Sequence, residues 1–133
     1  MKRACKLMVK GKDGKRAIYV DCANQNQIQT YIKLDERHLD KFRFIVEIIL
    51  GGHRNTNVYD KEEVTKKCKG VTAMKFFKGQ ENDRIYCKEQ TDNLGQRMIV
   101  MSVLHEKKKS QNLSAIEIGI LENIGGYTYE VQG

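Results

Sequence analysis

The spacing of apolar and polar positions changes several times along the chain, and each change predicts a separate element. Two short strand-like runs, 5–9 and 17–21, flank a polar segment that contains glycine and aspartate, so we expect a hairpin. Residues 24–33 are polar with isoleucine and tyrosine at helical spacing, which predicts a first helix.

The strongest helical pattern covers residues 35–50. Asp35 is a suitable N-cap residue, and apolar side chains recur at intervals of three and four between Leu39 and Ile49. The glycine pair at 51–52 ends the pattern, since glycine readily adopts the left-handed conformation beyond a helix. We therefore expect an amphipathic helix that packs its apolar stripe on a sheet.

Three further strands are predicted at 71–77, 84–90 and 97–104, separated by the polar turn segments 78–83 and 91–96. The short turns indicate that consecutive strands are antiparallel neighbours. The third strand is almost entirely apolar, which is typical of a central strand with both faces covered.

The C-terminal part opens with Ser114 and Glu117 in a capping-box pattern, which predicts a helix as far as about residue 124. We expect residues 127–131 to form either a tail or a short edge strand. The order of elements predicts an α+β fold with a small antiparallel or mixed sheet and helices mainly on one face. No linker or repeat divides the 133 residues, so we expect a single domain over 1–133.

The charge of the chain indicates the kind of partner it meets. Net charge is +7, and the positive charge is concentrated in residues 1–16 and 64–110. This distribution favours a polyanion or an acidic protein as a partner, although a merely soluble basic protein remains an alternative. No apolar run approaches the roughly 20 residues that span a bilayer, and no secretory signal is present, so we expect no membrane association and a cytoplasmic location.

The four cysteines form no CxxC pair and have no histidine partners at zinc-site spacing. We expect reduced, mostly buried thiols. No carboxylate or Cys/His cluster has the spacing of metal ligands, so neither a metal nor another cofactor is expected.

Three residues form the candidate catalytic group. Arg84, at the head of one strand, offers a planar, permanently charged fork that stabilises charge on phosphate oxygens. His105, at the end of the next strand, can exchange a proton near neutral pH. Lys75 can clamp a phosphate, or act as a base if desolvation lowers its pKa.

Each of these residues also has a structural explanation. Arg84 could be an exposed strand-head arginine paired with Asp83 or Glu89, and in either case we expect its replacement to leave the fold intact. His105 could be satisfied by a backbone carbonyl, and Lys75 could be an ordinary exposed strand lysine.

A wider set of basic side chains is predicted to contact RNA. These residues lie in polar turns and loops, where a cation can track a nucleic-acid backbone. They are Lys78, Lys107, Lys108, Lys109, His53 and Arg54. His53, next to Arg54 in a glycine-containing loop, is also a second candidate for proton transfer.

Four segments follow one another in a characteristic order. Residues 26–52 carry Tyr31-Ile-Lys-Leu-Asp35 ahead of the long amphipathic helix, and then come Lys69-Gly-Val-Thr-Ala-Met-Lys-Phe76, Arg84-Ile-Tyr86 and Leu104-His-Glu-Lys-Lys-Lys-Ser-Gln111. Together they resemble the helical hairpin, the lysine–glycine strand, the R-I-x-Y strand and the L-H-x-x-K-K-x-Q strand end of the RelE/ParE toxin superfamily, especially its HigB-like branch. The resemblance covers residues 17–124.

The resemblance implies a RelE-like fold and the toxin of a toxin–antitoxin system. It implies an endoribonuclease that acts on messenger RNA in association with the ribosome, through metal-independent attack by the 2′-hydroxyl. The implied partners are mRNA, the ribosome and a cognate antitoxin protein. The chain departs from the pattern in two ways: Lys75 stands where HigB-like chains often have an acidic residue, and no tyrosine after His105 clearly matches the family's C-terminal catalytic tyrosine.

Two other functions remain open. The ParE branch inhibits DNA gyrase, so the chain could be a protein-binding toxin or a cleavage-dead member of the same fold. It could also be a basic protein with no toxin role. A nuclease needs Lys75, Arg84 and His105 to converge on one surface, whereas a binding module does not.

Overall fold

The computed structural model of the chain describes residues 1–106 and 114–132. Within them lie seven strands and three α-helices. The strands are β1 (Lys2–Lys10), β2 (Arg16–Asp21), β3 (Tyr59–Lys61), β4 (Val71–Phe76), β5 (Asp83–Thr91), β6 (Arg97–His105) and β7 (Thr128–Val131). The helices are α1 (Gln25–Ile32), α2 (Glu36–Leu50) and α3 (Ala115–Gly125), and a short 3₁₀ turn covers Lys66–Cys68.

The strands form one mixed sheet in the order β3-β4-β5-β6-β2-β1-β7. The neighbours β2 and β6 are parallel, as are β1 and β7, and the remaining pairs are antiparallel. The α+β class is therefore confirmed. So are the N-terminal hairpin and the antiparallel meander β4-β5-β6.

The helices cover the two faces of the sheet unequally. The main core lies between the sheet and α1 and α2, where Phe42 and Ile45 pack with Met74 and Ile99. On the other face, α3 packs Leu121 and its neighbours over β4 and β5. The expectation that the helices lie mainly on one face holds for α1 and α2, whereas α3 covers the opposite face. The apolar strand β6 is buried on both sides, as its composition predicts.

The predicted helix boundaries are explained by local hydrogen bonds. The Asp35 side chain accepts from the backbone N–H of His38 at 2.9 Å and caps α2. Gly52, just past the end of α2, has a φ of 69°, a conformation that other residues rarely adopt. The capping box at the start of α3 is present, since Ser114 accepts from the backbone of Glu117 and the Glu117 side chain reaches back.

Long-range pairings of the sheet complete the fold. Strand β2 lies beside β6 although many residues separate them in the chain, and β7 becomes an edge strand along β1. The short strand β3 borders the other edge and pairs with β4. Among the described residues, no helix has the length and apolar character needed to cross a membrane.

Candidate functional site

The three candidate catalytic residues lie side by side across three strands. Arg84 of β5 is paired with Lys75 of β4 on one side and with His105 of β6 on the other. Residues directly opposite each other on antiparallel strands point to the same face. We call Lys75, Arg84 and His105 the basic row. It lies on the α3 face, because Arg84 and Tyr86 are two residues apart in β5 and so share a face, and Tyr86 packs against α3.

Arg84 is buried, with 7% of its surface exposed, so the expectation of an exposed strand-head arginine is wrong. Its Nη1 donates to the main-chain oxygen of Asp83 at 3.2 Å. Its buried Nε has no hydrogen-bond partner within the described residues. Neither Asp83 nor Glu89 forms an ion pair with it there: the Asp83 carboxylate accepts from Tyr31, and Glu89 is bound by Arg97.

Within the described residues Arg84 has no ion pair and its Nε has no hydrogen-bond partner, and such incomplete pairing of a buried cation is costly. Burying a charge without pairing it destabilises the folded state, and each unsatisfied donor adds a desolvation cost of roughly 1–3 kcal/mol. A bound anion supplies what a guanidinium in this position lacks, namely charge and several acceptor oxygens.

Lys75 is half-buried on the side of the row formed by β4. Its Nζ donates to the main-chain oxygen of Thr56 at 2.9 Å. Desolvation lowers the pKa of Lys75, and the positive charges of Lys78 and Arg84 act in the same direction. The nearby Asp60 and Glu62 carboxylates oppose the shift. The lysine therefore holds its proton less tightly than an exposed lysine does.

His105 occupies the other side of the row, where α3 begins. Its ring stacks on that of Tyr86, with centroids 6.0 Å apart and planes inclined by 27°. Its Nε2 lies 3.8 Å from Oε2 of Glu117, the third residue of α3. The Tyr86 hydroxyl donates to the same oxygen at 3.4 Å. Burial is the main reason that the pKa of Tyr86 is raised, so the phenol stays protonated.

The sequence indicated only a capping role for Glu117, and for Tyr86 it indicated packing in the core, with stacking on a base as the alternative. Tyr86 is indeed fully buried, but its hydroxyl is also part of the site. Two signals were present: Tyr86 lies two residues after Arg84 and so shares its face, and Glu117 occupies the capping position of the first helix after His105.

The other predicted RNA contacts divide into three groups. Lys78 lies in the turn after β4 and donates to Asn57 at 3.2 Å. It is close enough to Lys75 for its positive charge to lower the pKa of that lysine. His53 and Arg54 line a cleft with Thr72 and other residues instead. Thr72 is paired with Cys87 of the α1/α2 core, so this part of the cleft lies on the face opposite the basic row, and Arg84 does not line the cleft. Thr56, which also lines it, accepts from Nζ of Lys75. His53 and Arg54 are therefore not brought together with Arg84.

The lysines at 107–109 lie outside the described residues, and their predicted contact with RNA stays a prediction. Within residues 1–106 and 114–132, no three His, Cys, Asp or Glu side chains are grouped so that they could hold a metal ion.

The site combines a fixed cation with a proton-transfer group on each side. Neighbouring strands lie about 4.8 Å apart, so the backbones of Lys75 and His105 are separated by roughly 10 Å with Arg84 midway. A phosphate held by Arg84 would meet an ammonium on one side and an imidazole on the other. In-line displacement at phosphorus needs such an arrangement, because the attacking and leaving oxygens lie on opposite sides.

Comparison with known proteins finds no matching family model, no similar curated protein and no similar solved structure. What the protein does is therefore inferred from its own side chains, above all from the basic row.

Proposed function

We propose that this protein is an RNA-cleaving toxin of a toxin–antitoxin system, with the RelE-like fold and HigB-like chemistry that its motifs resemble. The observation that carries the proposal is the buried, partly unpartnered Arg84 between Lys75 and His105 on one face. The substrate is messenger RNA in the cytoplasm, at the ribosome, and a cognate antitoxin protein holds the toxin inactive.

The chemistry follows from the order of the row. The ribose 2′-oxygen attacks phosphorus while the bond to the 5′-oxygen breaks, which leaves a 2′,3′-cyclic phosphate and a 5′-hydroxyl. Arg84 stabilises the charge that builds on the phosphate oxygens. His105 and Lys75 exchange the two protons, one with the 2′-hydroxyl and one with the leaving oxygen. Because all three groups belong to the chain itself, the reaction requires no metal.

Other basic residues contribute affinity rather than chemistry. Lys78 borders the row, and Lys107, Lys108 and Lys109 follow His105 closely in the chain. We expect each phosphate contact to add about 0.7 to the log–log salt slope for single-stranded RNA. Replacing Lys107, Lys108 and Lys109 together should reduce that slope without changing the cleavage products.

The test is controlled expression of wild type and Arg84→Met, with growth and RNA integrity followed together. Arg97→Met is the matched control, since Arg97 pairs with Glu89 at the far end of β6. We expect wild type and Arg97→Met to stop growth and fragment mRNA. The Arg84→Met protein should cleave RNA about 10²–10³-fold more slowly than wild type, because it no longer stabilises charge in the transition state.

The purified variants are compared by thermal unfolding, so that a misfolded Arg84→Met protein is not mistaken for an inactive one. Folded Arg84→Met and His105→Gln proteins that are as toxic as wild type would rule out cleavage at these residues. Inhibition of gyrase would then be the leading alternative, to be measured by DNA supercoiling.

A further inference from the structure

The two carboxylate oxygens of Glu117 have different neighbours. Oε1 faces Ser114, at 3.5 Å from its backbone nitrogen and 3.3 Å from its hydroxyl. Oε2 faces the sheet, where it accepts from the Tyr86 hydroxyl at 3.4 Å and lies 3.8 Å from Nε2 of His105. One oxygen therefore closes the capping box, and the other is turned toward the basic row.

The capping role alone does not explain this position. A capping-box glutamate acts on its own helix end and needs no contact with another element. Here the side chain is 10% exposed, and the His105 side chain beside it is 26% exposed. The beginning of α3 is thus placed over the end of β6 so that a buried carboxylate meets a partly accessible imidazole.

We infer that Glu117 is the positioning residue that makes His105 the base for the 2′-hydroxyl. This inference rests on the proposed function. A carboxylate can only accept a hydrogen bond, so Nε2 of the neutral imidazole carries the proton on the side of Glu117. Nδ1 is then left with a lone pair. Contacts of this kind are often long without substrate and shorten when it binds.

The proton transfers balance around this assignment. As the 2′-oxygen–phosphorus bond forms, the 2′-hydroxyl proton moves to Nδ1 of His105, and Glu117 stabilises the imidazolium that results. As the bond from phosphorus to the 5′-oxygen breaks, the Lys75 ammonium supplies the proton to the leaving oxygen. Among the described residues, His105 has Arg84 beside it on the neighbouring strand and Glu117 facing it from α3, and Tyr86, on which its ring stacks, is neutral.

Two uridine 3′-phosphodiester substrates distinguish the residue that acts as the base from the residue that acts as the acid. One carries an ordinary nucleoside 5′-oxygen as its leaving group, and the other carries 4-nitrophenol, which leaves without a proton. Glu117→Gln retains the capping box, because glutamine also serves at that position. Ser114→Ala weakens the capping box but leaves the carboxylate beside His105, which makes it the matched control.

We expect Glu117→Gln to lower kcat on both substrates with little change in KM, by at most the roughly 10²–10⁴-fold that a positioned base supplies. Lys75→Met should lose activity on the nucleoside ester and keep it on the nitrophenyl ester. Ser114→Ala should stay close to wild type on both. A Glu117→Gln enzyme as fast as wild type, or a Ser114→Ala enzyme that loses as much, overturns the inference.

A second measurement does not depend on cleavage. In ¹⁵N NMR spectra, the Nε2–H of His105 should exchange with water more slowly than the ring N–H of the exposed His53, and Glu117→Gln should abolish the difference. Equal exchange in wild type and Glu117→Gln overturns the pairing even if RNA is cleaved. If neither substrate nor mRNA is cleaved while the protected Nε2–H is present, the proposed function fails and the pairing of Glu117 with His105 stands.

Discussion

Two groups of buried and partly buried polar side chains lie on the α3 face of the same sheet, and they differ in how completely they are paired. The Asp21 network comprises Arg3, Asp21, Ser102 and Tyr129. Asp21 is fully buried and accepts from Nε and Nη2 of Arg3 at 2.7 and 3.1 Å and from the backbone of Ala23 at 2.8 Å. The Tyr129 hydroxyl donates to it at 2.6 Å and lies 2.8 Å from Ser102 Oγ.

The basic row has the opposite character. Arg84 is buried without an ion-pair partner in the described residues, and Lys75 donates only to a neutral carbonyl among the hydrogen bonds found there. A saturated network has no capacity left for a ligand and joins β1, β2, β6 and β7 instead. A row with unmet hydrogen-bonding capacity favours an incoming anion. From this difference we expect the partly buried Arg3 to stabilise the fold, whereas Arg84 is the proposed ligand of an anion.

The largest expected effect is on stability, in the Asp21 network. Asp21→Ala leaves Arg3 and the Tyr129 hydroxyl without their shared acceptor, and breaking a buried ion pair typically costs about 3–5 kcal/mol. Urea unfolding measures this loss. Arg84→Met removes an unpaired charge at similar volume, so it should change the free energy of unfolding far less. Equal losses in the two variants would remove the distinction between the two regions.

The second effect is a gain of stability from an anion. Inorganic phosphate that binds the folded protein at 100 times its Kd should add about 2.7 kcal/mol to the free energy of unfolding. Arg84→Met should lose this gain, because the guanidinium is the proposed ligand. Arg97→Met, whose arginine already has a carboxylate partner, should keep it. If Arg84→Met is stabilised by phosphate as much as wild type is, Arg84 is not the anion site.

The third effect compares two tyrosines on the same face. Tyr129→Phe removes a short hydrogen bond to a carboxylate, a kind of bond worth roughly 1.5–3 kcal/mol. Tyr86→Phe removes a bond of 3.4 Å to Glu117, which lies near the distance limit and should contribute less. Urea midpoints of the two variants decide the order, and a larger loss in Tyr86→Phe would contradict it.

Most elements of the fold could be predicted from the sequence because their signals are local. The apolar stripe and the Asp35 cap define α2, and turn residues separate β4, β5 and β6. The pairing of β2 with β6 and of β7 with β1 could not be predicted, since no local pattern states which distant strands meet. The short strand β3 has only three residues and no periodic pattern, so the sequence did not predict it.

The candidate site was predicted in part. Arg84, Lys75 and His105 do share one face, because the meander fixes their register. The burial of Arg84 was missed, since it depends on packing around the strand rather than on the strand's own pattern. The loop that carries His53 and Arg54 has no periodic pattern from which its position relative to the sheet could be predicted, and both residues line a cleft that does not include Arg84.

The smallest effect concerns alkaline pH, and here the two regions should behave alike. The pKa values of Tyr129 and Tyr86 are both raised, chiefly by burial, from an ordinary value of 10.0. The folded protein therefore keeps protons that the unfolded chain loses above that value. Below it the two tyrosines contribute no pH dependence, and above it stability falls as the pH rises toward their folded pKa values.

Each tyrosine should contribute up to about 1.4 kcal/mol per pH unit to this fall. Tyr129→Phe and Tyr86→Phe should flatten it by similar amounts, even though their stabilities at neutral pH differ, because burial rather than hydrogen bonding is the main cause of both shifts. Free energies of unfolding measured between about pH 9 and pH 11 test this. A variant that keeps the full alkaline slope of wild type would show that its tyrosine is accessible to water, in contradiction to its burial in the structure.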